Sequence, residues 1–294
     1  MTICPKCGFA GKGAGECERC GVVYARWRAP AMEGTRIPSP FVAEAQAPPV
    51  VVPERSEPSE LRVDPLGWVA FGGGLAAALI ARQFPLAEAA LSGMKTLVHE
   101  MGHAAFGWLF GYPSIPAFDF SYGGGVTLQH ERSALLGAVV VAAAAYGAFA
   151  FRAHGLLRNS LLAFLALYAL LALTRGHEVV ILAMGHGGEL CFATLALHRA
   201  LSGRGCTLAA ERPLYGLLGW FLVLGDVVFA WRLRTSAFHR ELYEAAKGGG
   251  HWMDFSRLAE EFLRVPLESV ATVFLTLCLV PPVLALALQR FQRD

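Results

Sequence analysis

The chain has 294 residues, of which 55% are hydrophobic and only 16% are charged, and its mean hydropathy is +0.45. Soluble domains carry about 25% charged residues, and even a large core would be wrapped in a charged surface, so the composition excludes an ordinary soluble protein and predicts a membrane protein. The net charge of +2 is too small to attract a nucleic acid by electrostatics, and we expect no nucleic-acid partner.

The first 28 residues carry a cysteine motif that is typical of a structural metal site. Two Cys-x-x-Cys-Gly knuckles hold four of the seven cysteines: Cys4, Cys7, Cys17 and Cys20. The glycine after each pair permits the tight turn that lets both thiolates face one ion, and four thiolates complete a closed tetrahedral site. We predict a zinc ribbon over residues 1–28, whose structural Zn2+ supplies most of its folding free energy because so small a module has no real core.

The predicted ribbon is expected to bind a partner, because a closed four-thiolate site leaves no position for a reacting ligand. That partner would be a protein or the tail of a substrate. The opening sequence MTICPKCG lacks the basic stretch, apolar run and small-residue cleavage site of a secretory signal. We therefore expect the ribbon to lie in the cytosol.

The rest of the chain divides into a linker and a membrane domain. Residues 29–65 are rich in Pro, Glu and Ala without a helical or alternating period, and they predict a disordered linker. Residues 66–294 hold up to seven apolar stretches, each close to the roughly 20 residues that cross a bilayer core, at 66–84, 86–110, 134–151, 156–174, 179–201, 214–231 and 265–288. We predict an all-α polytopic membrane protein with six or seven transmembrane helices, which is integral to the cell membrane if the source is bacterial.

Three parts of the membrane domain are not simple spans. Only a few residues around Arg82 and Pro85 separate the first two stretches, which form a tight hairpin or include a re-entrant piece. Residues 112–132 are rich in strand-forming and turn residues. Residues 237–264 contain HWMDFSRLAEEFLR, whose apolar side chains lie largely on one helical face and predict an interfacial helix.

The second apolar stretch contains the pattern H-E-x-x-H at residues 99–103. On a helix, His99 and His103 share a face and can bind one zinc ion, while Glu100 is placed to take a proton from water. Ionisable residues inside an apolar segment are costly unless they pair or bind a metal, so this context favours a catalytic Zn2+ site. Lys95, one turn earlier, is expected to snorkel or to pair with a carboxylate.

A hydrolytic zinc ion usually takes three protein ligands, and the candidates for the third lie farther along the chain. The segment AMGHGGEL in the fifth apolar stretch offers His186, with Glu189 as an alternative. Its glycines are expected to loosen or break the helix at membrane depth, where irregular backbone lines a cavity. Asp226 is a further alternative, and otherwise it orients a ligand or joins helices by a hydrogen bond.

These residues resemble the site-2 protease family of intramembrane zinc metalloproteases. The resemblance rests on H-E-x-x-H followed by Ala104 in an apolar helix, on the Gly-rich segment FDFSYGGGVT, and on a Gly-Gly motif on a later helix. It covers roughly residues 66–230 and includes no PDZ-type domain. The family normally has Asp-Gly-Gly at the later motif, where this chain has His186, Gly187 and Gly188. Three neutral imidazoles would leave the site with a higher net charge than two imidazoles and a carboxylate.

The resemblance implies hydrolysis of peptide bonds in membrane-spanning or membrane-proximal substrates, with a membrane protein or peptide and the lipid bilayer as partners. His99, His103 and His186 would hold a zinc ion that polarises the scissile carbonyl and activates water. Glu100 would take the proton as general base and pass it to the leaving amine. The YGGGVT segment would pair with the unwound substrate by strand addition.

Three other functions fit the same residues. An HtpX-type membrane zinc protease has a Glu as its third ligand, a role that Glu189 would fill. A catalytically inactive membrane scaffold or regulator would use the zinc ribbon as its working module and keep H-E-x-x-H as a remnant. A transporter has no positive motif here, although broken helices and polar residues at the bilayer midplane also mark transport sites.

Overall fold

The computed structural model describes residues 2–4, 10–11, 15–17, 20, 22–23, 65–121, 123–246 and 253–291. It is mostly helical, and the chain divides into two compact units, Met1–Glu57 and Pro58–Asp294. In the first unit, β1 (Thr2–Ile3) pairs with β2 (Ala10–Gly11) in antiparallel fashion, and a single bridge joins Glu16 to Val23. The linker predicted at 29–65 lies outside the described residues except for its last residue.

The second unit is built from helices and one hairpin. In chain order, its described elements are α1 (Pro65–Ala81), α2 (Pro85–Leu109), β3 (Ser114–Phe118), β4 (Gly125–Gln129), α3 (Ala134–Ala150), α4 (Gly155–Leu173), α5 (Gly176–Ser202), α6 (Glu211–Thr235), α7 (Ala237–Glu244), α8 (Asp254–Arg257), a π-helical turn (Leu258–Leu263), α9 (Leu267–Leu277) and α10 (Val280–Phe291). Capping residues in the sequence determine where several of these helices begin or end. Ser133 and Ser236 cap α3 and α7 by accepting backbone hydrogen bonds, and Gly203 ends α5 in the left-handed conformation.

The strand-rich segment predicted at 112–132 is confirmed as a hairpin. β3 and β4 are antiparallel, with Ser114 opposite Gln129 and Phe118 opposite Gly125. The turn between them contains Gly123 and Gly124, whose φ angles of 79° and 86° suit a residue without a Cβ atom. The hairpin leads the chain from the end of α2 back along that helix, which it contacts with both strands.

The number of candidate membrane spans is smaller than the sequence predicted. Within the described part of the chain, four helical segments are long and apolar enough to cross a membrane: Gly155–Leu173, Gly176–Ser202, Glu211–Thr235 and Leu267–Gln289. The helices α1 and α2 add a fifth candidate span only if they are counted together as one. The chain bends by 114° between them, at the point where Pro85 forces Phe84 into extended backbone. α3 has 17 residues and is shorter than the four. The prediction of six or seven spans was therefore wrong, since hydropathy detects apolar stretches but neither bends nor early helix ends.

The centre of the second unit is formed by α5 and α6. The helices α2, α6 and α10 pack against α5, while α1 and α9 pack against α6. Two clusters of buried apolar side chains lie between these helices, one containing Leu182 and Phe274 and the other containing Leu197 and Leu222. α4, in contrast, buries only Tyr168 and leaves its leucines outside the protein core, as a lipid-facing helix does.

The glycines of AMGHGGEL do not break α5, so the expectation of an irregular helix there was wrong. α5 runs without interruption from Gly176 to Ser202. The glycines instead allow α2 and α5 to approach closely. A Cβ atom on Gly102 would overlap the Met184 carbonyl oxygen, and one on Gly188 would lie 2.9 Å from the Gly102 Cα. Small residues permit such close helix pairs, and here the contact brings the start of the HGGE segment against the H-E-x-x-H motif.

The segment 237–264, in which HWMDFSRLAEEFLR predicts an amphipathic helix, contains α7, α8 and the π-helical turn. Phe255 and Leu258 are buried in the cluster that contains Phe274, so this apolar face packs against the protein. Trp252, which the sequence placed on the same face, lies outside the described residues. The division matters for the site described next, because it places Asp254 at the first position of α8.

Candidate metal centre

Two histidine rings of α2 converge at one point. His99 and His103 lie one turn apart, and their Nε2 atoms are 3.1 Å from each other. Their rings are nearly perpendicular, with centroids 4.8 Å apart. Both side chains are largely buried, and both residues line the same cavity.

A carboxylate from α8 completes a triangle with these two nitrogen atoms. The Oδ2 atom of Asp254 lies 3.0 Å from the Nε2 atom of His99 and 3.0 Å from that of His103. Burial raises the pKa of the Asp254 carboxyl, but hydrogen bonds and charge from His103 and His99 outweigh burial and hold this pKa well below its ordinary value. Asp254 is therefore an ionised carboxylate at neutral pH.

The other ring nitrogen of each histidine has its own acceptor. His103 Nδ1 donates to the Ile181 carbonyl oxygen over 2.7 Å, and a carbonyl oxygen can only accept. His99 Nδ1 lies 3.2 Å from Glu189 Oε1, which accepts in the same way. The hydrogen bonds that lower the pKa of Asp254 place a proton on Nε2 of the histidines. A cation bound between the three atoms would replace those protons. Each ring would then be neutral with its hydrogen on Nδ1, and its Nε2 lone pair would face the cation.

The triangle fits the dimensions of a zinc site. Ligand atoms about 2.0 Å from a tetrahedral zinc ion lie roughly 3.3 Å from one another, close to the 3.0–3.1 Å separations of these three atoms. Two imidazoles and one carboxylate are also a common ligand set of catalytic zinc, with the fourth position left for water or substrate. Histidine ligands usually donate their second nitrogen to a carboxylate or a backbone carbonyl, as His99 and His103 do here.

The ligand candidates predicted from α5 and α6 lie next to this triangle but not in it. His186 Nδ1 is 2.9 Å from Glu189 Oε2 and 3.7 Å from Asp226 Oδ1. The His186 ring packs among aromatic side chains, with centroids 4.7–4.9 Å from those of Phe229, Phe255 and Phe274. His99, His186 and Glu189 also have ligand atoms within 4.8 Å of one another. Within that second trio, His99 Nδ1 and Glu189 Oε1 already lie 3.2 Å from each other.

A buried ion-pair network joins α2, α5 and α6 behind the histidines. The Lys95 ammonium lies 2.6 Å from Glu189 Oε2 and 2.5 Å from Asp226 Oδ1. Glu189 and Asp226 are almost completely buried. The second oxygen of Asp226, Oδ2, has no hydrogen-bond partner among the described residues. The expectation that Lys95 pairs with a carboxylate is thus confirmed, and it pairs with two.

Glu100 lies beside the triangle on the wall of a cavity. Thr127 of β4 donates its hydroxyl to the Glu100 carboxylate, with a separation of 2.7 Å between Thr127 Oγ1 and Glu100 Oε2. β4 can pass this close because its first residue is Gly125, where a Cβ atom would lie 2.5 Å from the Glu100 side chain. The hairpin therefore fixes the direction in which the Glu100 carboxylate points.

The cavity has a volume of about 630 Å³ and is bounded by several elements. The three triangle residues, Glu100 and Lys95 face it from α2 and α8. Its other walls come from the hairpin turn, α5, α6 and the end of α7, and they include Gly125, Thr127, Leu182, Phe229 and Tyr243. A space of this size accommodates several residues of an extended peptide next to the triangle.

Sequence reasoning missed Asp254. An Asp at the first position of a helix is commonplace, since it favours the positive end of the helix dipole, and nothing in HWMDFSRLAEEFLR distinguishes this one as a ligand. The only available signal is that an acidic residue occurs between the aromatic residues Trp252 and Phe255 in an otherwise apolar face. That signal is too common to select Asp254 over the other carboxylates of the chain.

The N-terminal cysteines form a second group of metal-ligand atoms. The Sγ atoms of Cys4, Cys17 and Cys20 lie within 4.8 Å of one another, and those of Cys4 and Cys20 are 3.7 Å apart. Thiolates bound at about 2.3 Å to a tetrahedral zinc ion lie roughly 3.8 Å from one another, so the spacing fits. Cys7 lies outside the described residues, and the four-thiolate zinc ribbon stays a prediction.

Comparisons of this chain with protein-family models, with curated proteins and with solved structures found no match. The resemblance to the site-2 protease family thus stands on the quoted residues alone. What the site can do has to be inferred from its own geometry and chemistry.

Proposed function

We propose that this chain is a multi-pass membrane zinc metallopeptidase that hydrolyses peptide bonds of membrane-spanning or membrane-proximal substrates. The observation that carries the proposal is the triangle of His99 Nε2, His103 Nε2 and Asp254 Oδ2, placed beside Glu100 at the wall of a cavity. These three residues would hold the catalytic zinc, with Asp254 in place of the His186 ligand that the sequence predicted. A zinc ion bound there supplies Lewis-acid activation of a water molecule and of the peptide carbonyl.

Charge balance supports a divalent cation at this position. Lys95 contributes one positive charge, and four carboxylates lie on or directly behind the cavity wall: Glu100, Glu189, Asp226 and Asp254. With the histidines neutral, four negative charges and one positive charge leave −3, and a divalent ion reduces this to −1. A proton on His186, which contacts Glu189 and Asp226, changes these totals to −2 and 0. Arg257 also lines the cavity, but it already has a carboxylate partner in Glu261. Buried charges without compensation are costly, so the excess of carboxylates favours a bound metal ion.

Glu100 is the group placed to move the proton. Its carboxylate faces the cavity next to the triangle, and the Thr127 hydroxyl occupies one of its oxygens. The other oxygen is left to accept a proton from a water molecule that attacks a substrate carbonyl. Glu100 would then deliver that proton to the leaving amine.

The cavity shape supports a peptide substrate in extended form. β4 lies along one wall, and a peptide lying beside it would present its backbone to Glu100 and to the triangle. A substrate helix would have to unwind to enter, because only an extended backbone exposes its carbonyl groups. The four helices long enough to cross a bilayer support a location in the membrane, where such substrates lie.

The HtpX-type alternative, with Glu189 as third ligand, is less favoured by the contacts of that residue. Both Glu189 oxygens are already used, Oε1 by His99 and Oε2 by Lys95 and His186. Among the described residues, the hydrogen-bond contacts of Asp254 Oδ2 are with the Nε2 atoms of His99 and His103. The carboxylate with its oxygen directed at both histidines is the better ligand.

Zinc content of the full-length protein, purified in detergent, tests the proposed ligand set. The Asp254→Ala variant and the His99→Ala/His103→Ala variant are expected to lose one zinc ion per chain relative to the parent, while the N-terminal cysteines retain theirs. His186→Ala is the matched control and is expected to keep the parent zinc content. Loss of zinc in His186→Ala with retention in Asp254→Ala would instead establish the ligand set predicted from the sequence. Equal zinc content in all four proteins would refute a metal centre on α2.

A further inference from the structure

Lys95 has a role that goes beyond pairing two acidic residues. We propose that Lys95 is a positioning residue of the metal centre, which holds the Glu189 carboxylate against His99 Nδ1 and thereby keeps His99 Nε2 directed at the metal. The inference rests on the proposed function, because it assigns the residues behind the same site.

The contacts run in an unbroken series from α6 to the triangle. Asp226 Oδ1 lies 2.5 Å from Lys95 Nζ, which lies 2.6 Å from Glu189 Oε2. The other Glu189 oxygen, Oε1, lies 3.2 Å from His99 Nδ1. Lys95 precedes His99 by four residues on α2, so both side chains lie on the same face of that helix. One ammonium group therefore determines where the acceptor of His99 sits.

The direction of the Lys95 side chain argues against simple snorkelling. A lysine that snorkels extends its ammonium toward the polar edge of a membrane. Lys95 instead points inward, with only 19% of its side chain exposed, and ends between two carboxylates on other helices. Its methylene groups pack near Gly225 of α6, which leaves room for the side chain to reach Asp226.

Removal of the ammonium would leave two buried carboxylates near each other with the His186 imidazole beside both of them, 2.9 Å from Glu189 Oε2 and 3.7 Å from Asp226 Oδ1. Glu189 and Asp226 are both anchored on helices of the protein core, and Asp226 is completely buried. Their repulsion would move the Glu189 side chain, which is the more mobile of the two because it is longer. His99 would then lose the acceptor that fixes its ring, and its Nε2 atom would no longer face Asp254 and His103.

If repulsion between Glu189 and Asp226 disturbs the metal centre in Lys95→Met, removal of one of these two charges is expected to restore metal binding. Lys95→Met leaves two facing carboxylates, whereas Lys95→Met combined with Asp226→Asn leaves only Glu189 charged. The double variant removes the repulsion although it restores no salt bridge. A purely structural salt bridge also predicts that the double variant regains folding stability, because no unpaired carboxylate is then left by the missing ammonium. The positioning role is therefore read from cobalt affinity at the imidazole–carboxylate site and not from stability.

The test is a titration of the full-length protein with Co2+ alone, followed by absorption, because imidazole–carboxylate and thiolate coordination give different cobalt spectra. Lys95→Met is expected to weaken cobalt binding at the imidazole–carboxylate site by about 10–100-fold, the usual cost of losing support for a metal ligand. The double variant is expected to recover most of that loss. Arg82→Met is the matched control, since it removes a cation that pairs with Glu88 outside the metal centre. Glu189→Ala removes the acceptor itself and gives an independent variant if Lys95→Met does not fold.

The outcomes separate this inference from the proposed function. Weaker binding in Lys95→Met with recovery in the double variant supports it, and parent-like binding in Glu189→Ala overturns it. Parent-like binding in Lys95→Met overturns the role of Lys95 and leaves the zinc peptidase proposal intact. Equal loss in the single and double variants also overturns it, because relief of the repulsion between Glu189 and Asp226 would then have no effect on the metal centre. A parent protein that gives only the thiolate spectrum overturns both.

Discussion

Glu100 and Asp254 are two carboxylates at one cavity, and their contacts divide the tasks between them. Asp254 directs Oδ2 at the Nε2 atoms of both histidines, 3.0 Å from each. Glu100 accepts a hydrogen bond from Thr127 and contacts neither histidine ring among the described hydrogen bonds. The first is placed to hold a metal ion and the second to exchange protons with a reacting water. The same division of roles underlies zinc peptidases that carry H-E-x-x-H on a helix.

Glu100→Gln separates metal binding from proton transfer. Gln keeps the size of the side chain and a hydrogen-bonding oxygen for Thr127, but it cannot accept a proton at neutral pH. We expect the zinc content to be unchanged and peptide hydrolysis to fall by about 10²–10⁴-fold, the contribution of a general base. The measurement is the release of fragments from labelled membrane-spanning peptides, together with zinc analysis of the same sample.

Glu88→Gln is the control for this variant, since Glu88 lies on the same helix and pairs with Arg82 at its start. It is expected to keep full activity. An active Glu100→Gln variant would rule out the base role, and a Glu100→Gln variant without zinc would indicate that Glu100 is a ligand.

At the scale of elements, the close pairing of α2 and α5 brings the site together. Gly102 on α2 and Gly188 on α5 lie at the contact, where larger residues would separate the helices. This proximity lets the Ile181 carbonyl and Glu189 on α5 accept hydrogen bonds from the histidines of α2. The predicted third ligand, His186, is also on α5, but its ring packs against Phe229 and Phe274. Helix α5 therefore supports the histidines of α2, and α8 supplies the carboxylate.

Gly185→Ala tests this close pairing directly. A Cβ atom at Gly185 would overlap the Nε2 atoms of His99 and His103, which are the proposed ligand atoms. We expect the variant to lose zinc from the membrane site and to unfold more easily by about 1–3 kcal/mol, as overpacked cores do. Zinc analysis and thermal denaturation in detergent measure the two effects.

Gly93→Ala provides the comparison, because a Cβ atom on this glycine of α2 would meet no atom of the described residues within 4 Å. It should keep its zinc and gain slightly in helix stability. If Gly185→Ala also kept its full zinc content, the approach of α5 to the ligand atoms would not matter for metal binding.

At the scale of the whole molecule, the candidate metal centre links parts of the chain that are far apart in sequence. α2 supplies both histidines and Glu100, while α8 supplies Asp254, which is 151 residues from His103. Helix α8 is short, and its other ties to the protein include apolar contacts of Phe255 and a hydrogen bond from the Phe255 backbone to the Tyr243 hydroxyl. A metal ion held by both segments would therefore stabilise the position of α8.

Removal of the metal is expected to loosen α8 and the π-helical turn selectively. Ligand binding at 100 times its Kd stabilises the bound conformation by about 2.7 kcal/mol, and a chelator removes this contribution. Amide hydrogen exchange of the full-length protein should accordingly increase in residues 254–263 and stay unchanged in α4, which contributes nothing to the site. The His99→Ala/His103→Ala variant should show fast exchange in 254–263 with or without the chelator. Exchange that rises equally in α4 would point to general unfolding and contradict a local role of the metal.

The sequence by itself determined the features that depend on neighbours along the chain. Apolar stretches of the required length indicate candidate spans, and the helical period places His99 and His103 on one face with Glu100 beside them. Gly and strand-forming residues likewise indicate strands and turns at 112–132. These features follow from local composition and from the 3.6-residue turn, so they need no knowledge of packing.

Only the tertiary structure decided which carboxylate lies between His99 and His103, and how many helices are long enough to cross a membrane. Asp254 reaches His99 because Phe255 and Leu258 bury α8 against the core, and no local pattern encodes that placement. The pairing of Lys95 with Glu189 and Asp226 depends in the same way on three helices meeting at one point. The bend at Pro85 removes a span that hydropathy counts. Contacts between distant segments arise from packing, and for that reason the ligand set could not be read from the spacing of residues along the chain.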